Sequence, residues 1–180
     1  MPSTTMKRRP IDVSIESGPR NPKQGEAVDP DRFREALAHW ASGVCIVATR
    51  DPDDQQVYAT TVSSLGGVSA DPPRIMFSLG PGAQVLPFLP EGRRFAVSVL
   101  SGRHGRLASD FADSLPIGPS PFPEDGDPVI SDALARLVCT VQHVFPVDAS
   151  RIVVGLVVEA EVEDDGGPLV NYRRDYHTLD

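Results

Sequence analysis

The chain has 180 residues and a mass of 19.4 kDa, which suits one domain and leaves too little chain for two full cores. Acidic residues outnumber basic ones, 25 against 17, so a nucleic acid, whose binding rests on neutralised phosphates, is a poor partner. Hydrophobic residues make up 40%, enough for a packed interior, yet no apolar run approaches the roughly 20 residues that cross a bilayer. The expected partners are therefore small molecules or proteins, with no membrane and no nucleic acid. Cys45 and Cys139 both lie inside apolar runs, which fits buried reduced thiols in a cytoplasmic protein better than a disulfide framework or a zinc site.

Residues 1–28 read as a disordered basic tail. Over 1–25, Lys7, Arg8, Arg9, Arg20 and Lys23 face only Asp12 and Glu16, and Pro2, Pro10, Pro19 and Pro22 interrupt a segment with no apolar period. A domain over 29–180 follows. Asp29 can cap the first amides of a helix, and Pro30 is harmless at a first helical position. Phe33, Ala36, Leu37 and Trp40 then recur at helical spacing to form an apolar stripe, and Ser42-Gly43 closes the segment.

Beyond this helix the period changes to short β-rich runs between Gly and Pro clusters. Six strands are expected over 44–49, 57–64, 74–79, 95–100, 137–145 and 152–162, with a weaker seventh over 169–173. In the two long late strands, Leu137, Cys139, Val141, His143 and Phe145 share one face, while Ile152, Val154, Leu156 and Val158 share another. Short helical pieces are expected over 84–89, 105–112 and 131–136, without the strict alternation that a doubly wound parallel sheet needs. The expected fold is mainly β: a six- to seven-stranded antiparallel split β-barrel with peripheral short helices.

Familiar catalytic signatures are missing. Gly80-Pro81-Gly82 lacks the third glycine and the context of a dinucleotide fingerprint, and there is no phosphate-loop Gly-Lys-Ser/Thr. His39, His104, His143 and His177 are too dispersed to suggest a metal site, and His143 on an apolar face reads as a core or interface residue. Ser63 and Ser64 lack the glycine-flanked elbow of an acyl-transfer nucleophile. The unusual stretch is 58–73, where Thr60, Thr61, Ser63 and Ser64 crowd the end of a strand and run into Gly66-Gly67. Such a segment offers polarity with little bulk and lets a ligand approach the main chain. It serves equally as a Ser/Thr-rich edge strand and turn.

Several blocks in order resemble the flavin-reductase-like family of split-barrel proteins, the short-chain reductases that accompany two-component flavin monooxygenases. They are Phe33-Arg-Glu-Ala-Leu37, Trp40-Ala-Ser-Gly-Val44, Thr61-Val-Ser-Ser64, Val68-Ser-Ala-Asp-Pro-Pro73, Phe95-Ala-Val-Ser-Val-Leu100, Ala133-Leu-Ala-Arg-Leu-Val-Cys139 and Pro168-Leu-Val-Asn-Tyr-Arg-Arg-Asp-Tyr176. The resemblance implies that Thr61, Val62, Ser63, Ser64 and Leu65 line the ring and ribityl chain of FMN or FAD, with Val68 and Ser69 closing the site. It places the flavin phosphate at the loop containing Gly82, Ala83 and Gln84. It further implies hydride transfer from NADH or NADPH, with no obligatory acid, base or nucleophile, a homodimer, and delivery of reduced flavin to a partner monooxygenase.

The chain also departs from that pattern. Ser150 stands where the family carries a histidine near the nicotinamide, Leu156 stands in place of a glutamate, and Arg151 offers a cation for a nicotinamide phosphate. His104 and Ala108 replace a glutamine and a serine, and a proline-rich loop follows Phe111-Ala112. These departures keep open a second expectation, a flavin-binding subunit that has lost its nicotinamide site. A split barrel that binds haem or a deazaflavin is a third.

Overall fold

Asp29 starts the first helix. Its carboxylate accepts the N–H groups of Asp31 and Arg32 at 3.0 and 3.1 Å, and Pro30 occupies the first turn, so α1 runs over Pro30–Ala38. The computed structural model describes residues 27–113, 118–163 and 166–179, so the expected basic tail lies almost wholly outside the described residues. The strands are β1 (Ser42–Gly43), β2 (Cys45–Arg50), β3 (Val57–Val62), β4 (Gly66–Ala70), β5 (Pro73–Leu79), β6 (Arg94–Val99), β7 (Ala135–Val147), β8 (Ser150–Val162), β9 (Leu169–Tyr172) and β10 (Asp175–Thr178). A second helix, α2 (Gly105–Ala112), falls where the sequence places it.

Seven strands form one antiparallel sheet in the order β3-β2-β6-β7-β8-β5-β4, and β1-β9-β10 form a second, smaller one. The large sheet curls around a core of Val47, Val62, Phe77, Phe95, Val97, Cys139, Val141 and Val153, which come from six of its strands. A second cluster joins the outer face of β2 (Ile46, Ala48) to α2 through Ala108 and Phe111, and to the loop residues Phe122, Ile130 and Ala133. Strand β2 is thus covered on both faces, which explains its unbroken apolar run. Both thiols are buried and unpaired in a disulfide, and burial pushes each pKa up to about 12, so they remain protonated and unreactive at neutral pH.

Two expectations are corrected. No helix forms over 131–136: the segment turns and then enters β7 at Ala135, because Ala135 and Arg136 pair with Val162 and Glu161 in the ladder. The single inward face expected from Leu137 to Phe145 breaks at an irregularity between Val141 and His143. Beyond it Val144 packs on the core, while Phe145 is 51% exposed and His143 lies outside, with its Nδ1 3.7 Å from Glu91. On β8, Ile152, Val154 and Leu156 share one side as their alternation implies; it is the less buried side, and Val153 and Gly155 point inward.

His104 is spent on structure. Its Nδ1 accepts the Ser101 N–H at 3.1 Å, which assigns the proton to Nε2, 3.2 Å from an Asp132 oxygen. Burial alone would raise the Asp132 pKa, but the neighbouring His104 and the charge of Arg103 outweigh it and hold the pKa below its usual value. No helix among the described residues is long and apolar enough to cross a membrane.

Candidate functional site

The four residues Thr61 to Ser64 have four different fates, because β3 ends in their midst. Thr61 points toward α2 and donates its hydroxyl to the Ala108 carbonyl at 2.7 Å. Val62 points inward and is buried. Ser64 lies beyond the strand end, where its hydroxyl accepts the Ser78 N–H at 3.0 Å and donates to the Ser78 carbonyl at 3.2 Å. Since β3 is one edge of the large sheet and β5 lies next to the other edge, this serine stitches the seam of the split barrel. Ser63 is exposed, and its hydroxyl has no hydrogen-bond partner among the described residues.

Ser63 opens onto two adjoining cavities. One, of about 460 Å³, is bounded by Leu37, Trp40, Ser42, Ser64, Asn171 and Arg174. The other, of about 310 Å³, includes Thr61, Ser109, Asp113, Asn171, Arg174 and Tyr176. Ser63, Asn171 and Arg174 line both, so the cavities form one cleft. The topology explains the gathering: Ser42 pairs with Asn171 between β1 and β9, and the N–H of Arg173 donates to the carbonyl of Ala38 at 2.7 Å, which ties the β9–β10 turn to the end of α1. Burial raises the Tyr176 pKa and Asp113 adds to the effect, so its hydroxyl keeps its proton at neutral pH.

The other residues singled out from sequence fall around this cleft in different ways. Leu65 and Ala83 pack against the core. Gly82 and Gln84 lie exposed on a turn closed by the Ala83 N–H to the Gly80 carbonyl, which follows directly on from Ser78-Leu79. Arg151 pairs with Leu79 and so adjoins that turn, but its guanidinium donates to the carbonyls of Asp148 and Ser150 at 3.3 and 2.7 Å. Ser150 begins β8 opposite Val147. Val68 is 51% exposed on β4, and Ser69 sits opposite Arg74. Arg74 and Ser78 are four steps apart along β5, about 13 Å at strand rise. Ser42, Trp40, Asn171 and Arg174 were not singled out as site residues; the Trp40 and Pro168–Tyr176 blocks offered a signal, but only strand pairing joins them to Ser63.

The donor set fits a flavin. Hydroxyls and an amide can meet the polar edge of the ring system, Leu37 and Trp40 offer apolar surface, and a volume of about 460 Å³ falls in the range of ligand cavities. A larger cavity of about 580 Å³, beside Arg50, Arg93, Arg94 and Gly126, is less suited. Two of its three cations are committed: Arg50 donates to the carbonyls of Gln55, Pro123 and Gly126, and Arg94 pairs with Asp127 and Glu159.

Residues 37–180 match the flavin reductase like domain. The chain belongs to the flavin-reductase-like family. It is 34% identical, over 83% of its length and 96% of the relative's, to the reductase component of 4-hydroxyphenylacetate 3-monooxygenase from Thermus thermophilus. It is also 34% identical to an NADPH-flavin oxidoreductase from Streptomyces viridifaciens, covering 86% of this chain and 85% of that protein. Among solved structures, the flavin reductase PheA2 superposes with a TM-score of 0.77 at 28% identity, covering 85% of this chain and 99% of that one. In this member of the flavin-reductase-like family, the seam serine Ser64 and the cleft residue Ser63 lie in the block Thr61-Val-Ser-Ser64 that carries the resemblance.

Proposed function

We propose that the protein is an NAD(P)H-dependent flavin reductase that reduces FMN or FAD for a partner monooxygenase, as a cytoplasmic homodimer whose split-barrel domain spans 29–180. The observation that carries this reading is the cleft around the uncommitted Ser63 hydroxyl in a chain of the flavin-reductase-like family. A bound flavin supplies the electron-accepting ring, and the reduced nicotinamide supplies the hydride. The residues hold and shield. Ser42, Ser63 and Asn171 present small polar groups to the ring's edge and ribityl chain, and Leu37 and Trp40 cover a face and exclude water. The turn with Gly82, Ala83 and Gln84 is the candidate for the flavin phosphate, with Val68 and Ser69 on the neighbouring strand. No proton need be moved by a side chain.

The dimer reading rests on α1. Phe33, Leu37 and Trp40 are 51%, 54% and 74% exposed, so the apolar stripe has no cover among the described residues. A second copy seated there would bury the stripe and narrow the cleft at Leu37 and Trp40. Two buried free thiols accord with a reducing compartment.

One observation favours a second reading, a flavin-binding subunit without reductase activity. Ser150 supplies no imidazole, and the Arg151 guanidinium is turned back onto its own hairpin. Purified protein mixed with NADH or NADPH and excess FMN or FAD decides between the two. Protein-dependent loss of the nicotinamide absorbance with at least one pairing is expected; flavin binding without any such loss would leave the second reading standing.

A further inference from the structure

We infer that Arg174 forms a phosphate-recognising end of the cleft, which selects substrates by a phosphate group they carry. The inference rests on the flavin-reductase reading for the identity of those substrates. Arg34 and Arg174 are the charged residues lining the part of the cleft beside α1, and no carboxylate lines that part. Arg34 is paired with Asp31. Arg173, next in the chain, lies with its guanidinium carbon 5.4 Å from the centroid of the Tyr172 ring. No carboxylate among the described residues forms an ion pair with Arg174. The adjoining part of the cleft carries Asp113, which repels a second anion and orients a charged ligand with its phosphate toward Arg174.

The backbone supplies an independent argument. Arg173 and Arg174 are the two central residues of the β9–β10 hairpin, since Tyr172 pairs with Asp175, and their φ angles are 54° and 66°. A two-residue turn with both φ values positive favours Asn-Gly, and a long side chain at its second position carries a conformational cost. Such an outlier at a cleft wall points to a use for the side chain. The guanidinium fork can bind two phosphate oxygens at once.

The phosphate has two candidate sources: the nicotinamide dinucleotide, and the flavin nucleotide, whose phosphate would then sit at Arg174 instead of at the turn with Gly82, Ala83 and Gln84. Arg174→Gly removes the fork and suits a positive φ, so its melting temperature is expected to equal or exceed that of the wild type. Fluorescence titration with FMN and with riboflavin reads the flavin arm without turnover. Steady-state KM values for NADH and for 1-benzyl-1,4-dihydronicotinamide, a donor without phosphate, read the other. In one arm the preference for the phosphate-bearing compound is expected to fall about 10- to 100-fold, the loss of a charge-assisted pair. A change in FMN preference assigns the group to the flavin, and a change in NADH preference assigns it to the dinucleotide. Unchanged preference in both arms overturns the inference. A wild-type protein that binds flavin but oxidises neither donor sinks the reductase reading instead, and the FMN-to-riboflavin comparison then decides the inference by itself.

Discussion

Replacing Phe95 with alanine is expected to lower stability by about 3–5 kcal/mol, read as a fall in the urea midpoint with an unchanged slope. Phe95 is fully buried at the centre of the barrel, and its ring meets that of Phe77 edge-on at 5.7 Å. The space for it exists because β8 has a glycine opposite. A Cβ at Gly155 would lie 2.6 Å from Cζ and 2.9 Å from Cε1 of Phe95. Gly155→Ala therefore forces a large, well-packed ring to move, at a cost of about 1–3 kcal/mol. Ring removal makes room for the new methyl group, so the double variant is expected to lose less than the two single variants added together. Strict additivity would show that the ring does not rest on this glycine.

Ser64→Leu is expected to weaken flavin binding by at least about tenfold, or 1.4 kcal/mol. The substitution puts a branched side chain into the cleft wall and removes both hydroxyl bonds to Ser78. Ser64→Ala separates the two effects: it opens the seam at a cost of about 0.5–1.5 kcal/mol in stability but adds no bulk. Fluorescence titration should rank wild type above Ala and Ala well above Leu. Equal flavin affinity for Ala and Leu would show that the ring does not rest against this wall.

What could be read in the sequence was whatever local chemistry enforces. The Asp29-Pro30 cap, the apolar runs of β2 and β6 and the position of α2 follow from side chains within one element. Strand β4 went unread because Gly66 and Gly67 carry no strand preference; their pairing with Met76 and Ile75 makes the strand. The face switch in β7 is a register event, visible only against β8. The Thr61–Ser64 block was legible as chemistry, but which hydroxyl remains uncommitted was not, since Thr61 and Ser64 are bound by partners 47 and 14 residues away. Arg174 escaped for the same reason: its place beside Ser63 depends on the turn of a hairpin pinned to α1 by the bond from Arg173 to Ala38.

The position of the flavin ring is the most direct measurement. A crystal soaked with FMN is predicted to show the ring beside Ser63 and Ser64, with Trp40 and Asn171 at its borders. Ring density in the cavity beside Arg50 and Arg93, or a cleft filled by the protein's own side chains with no ring in it, would contradict the account.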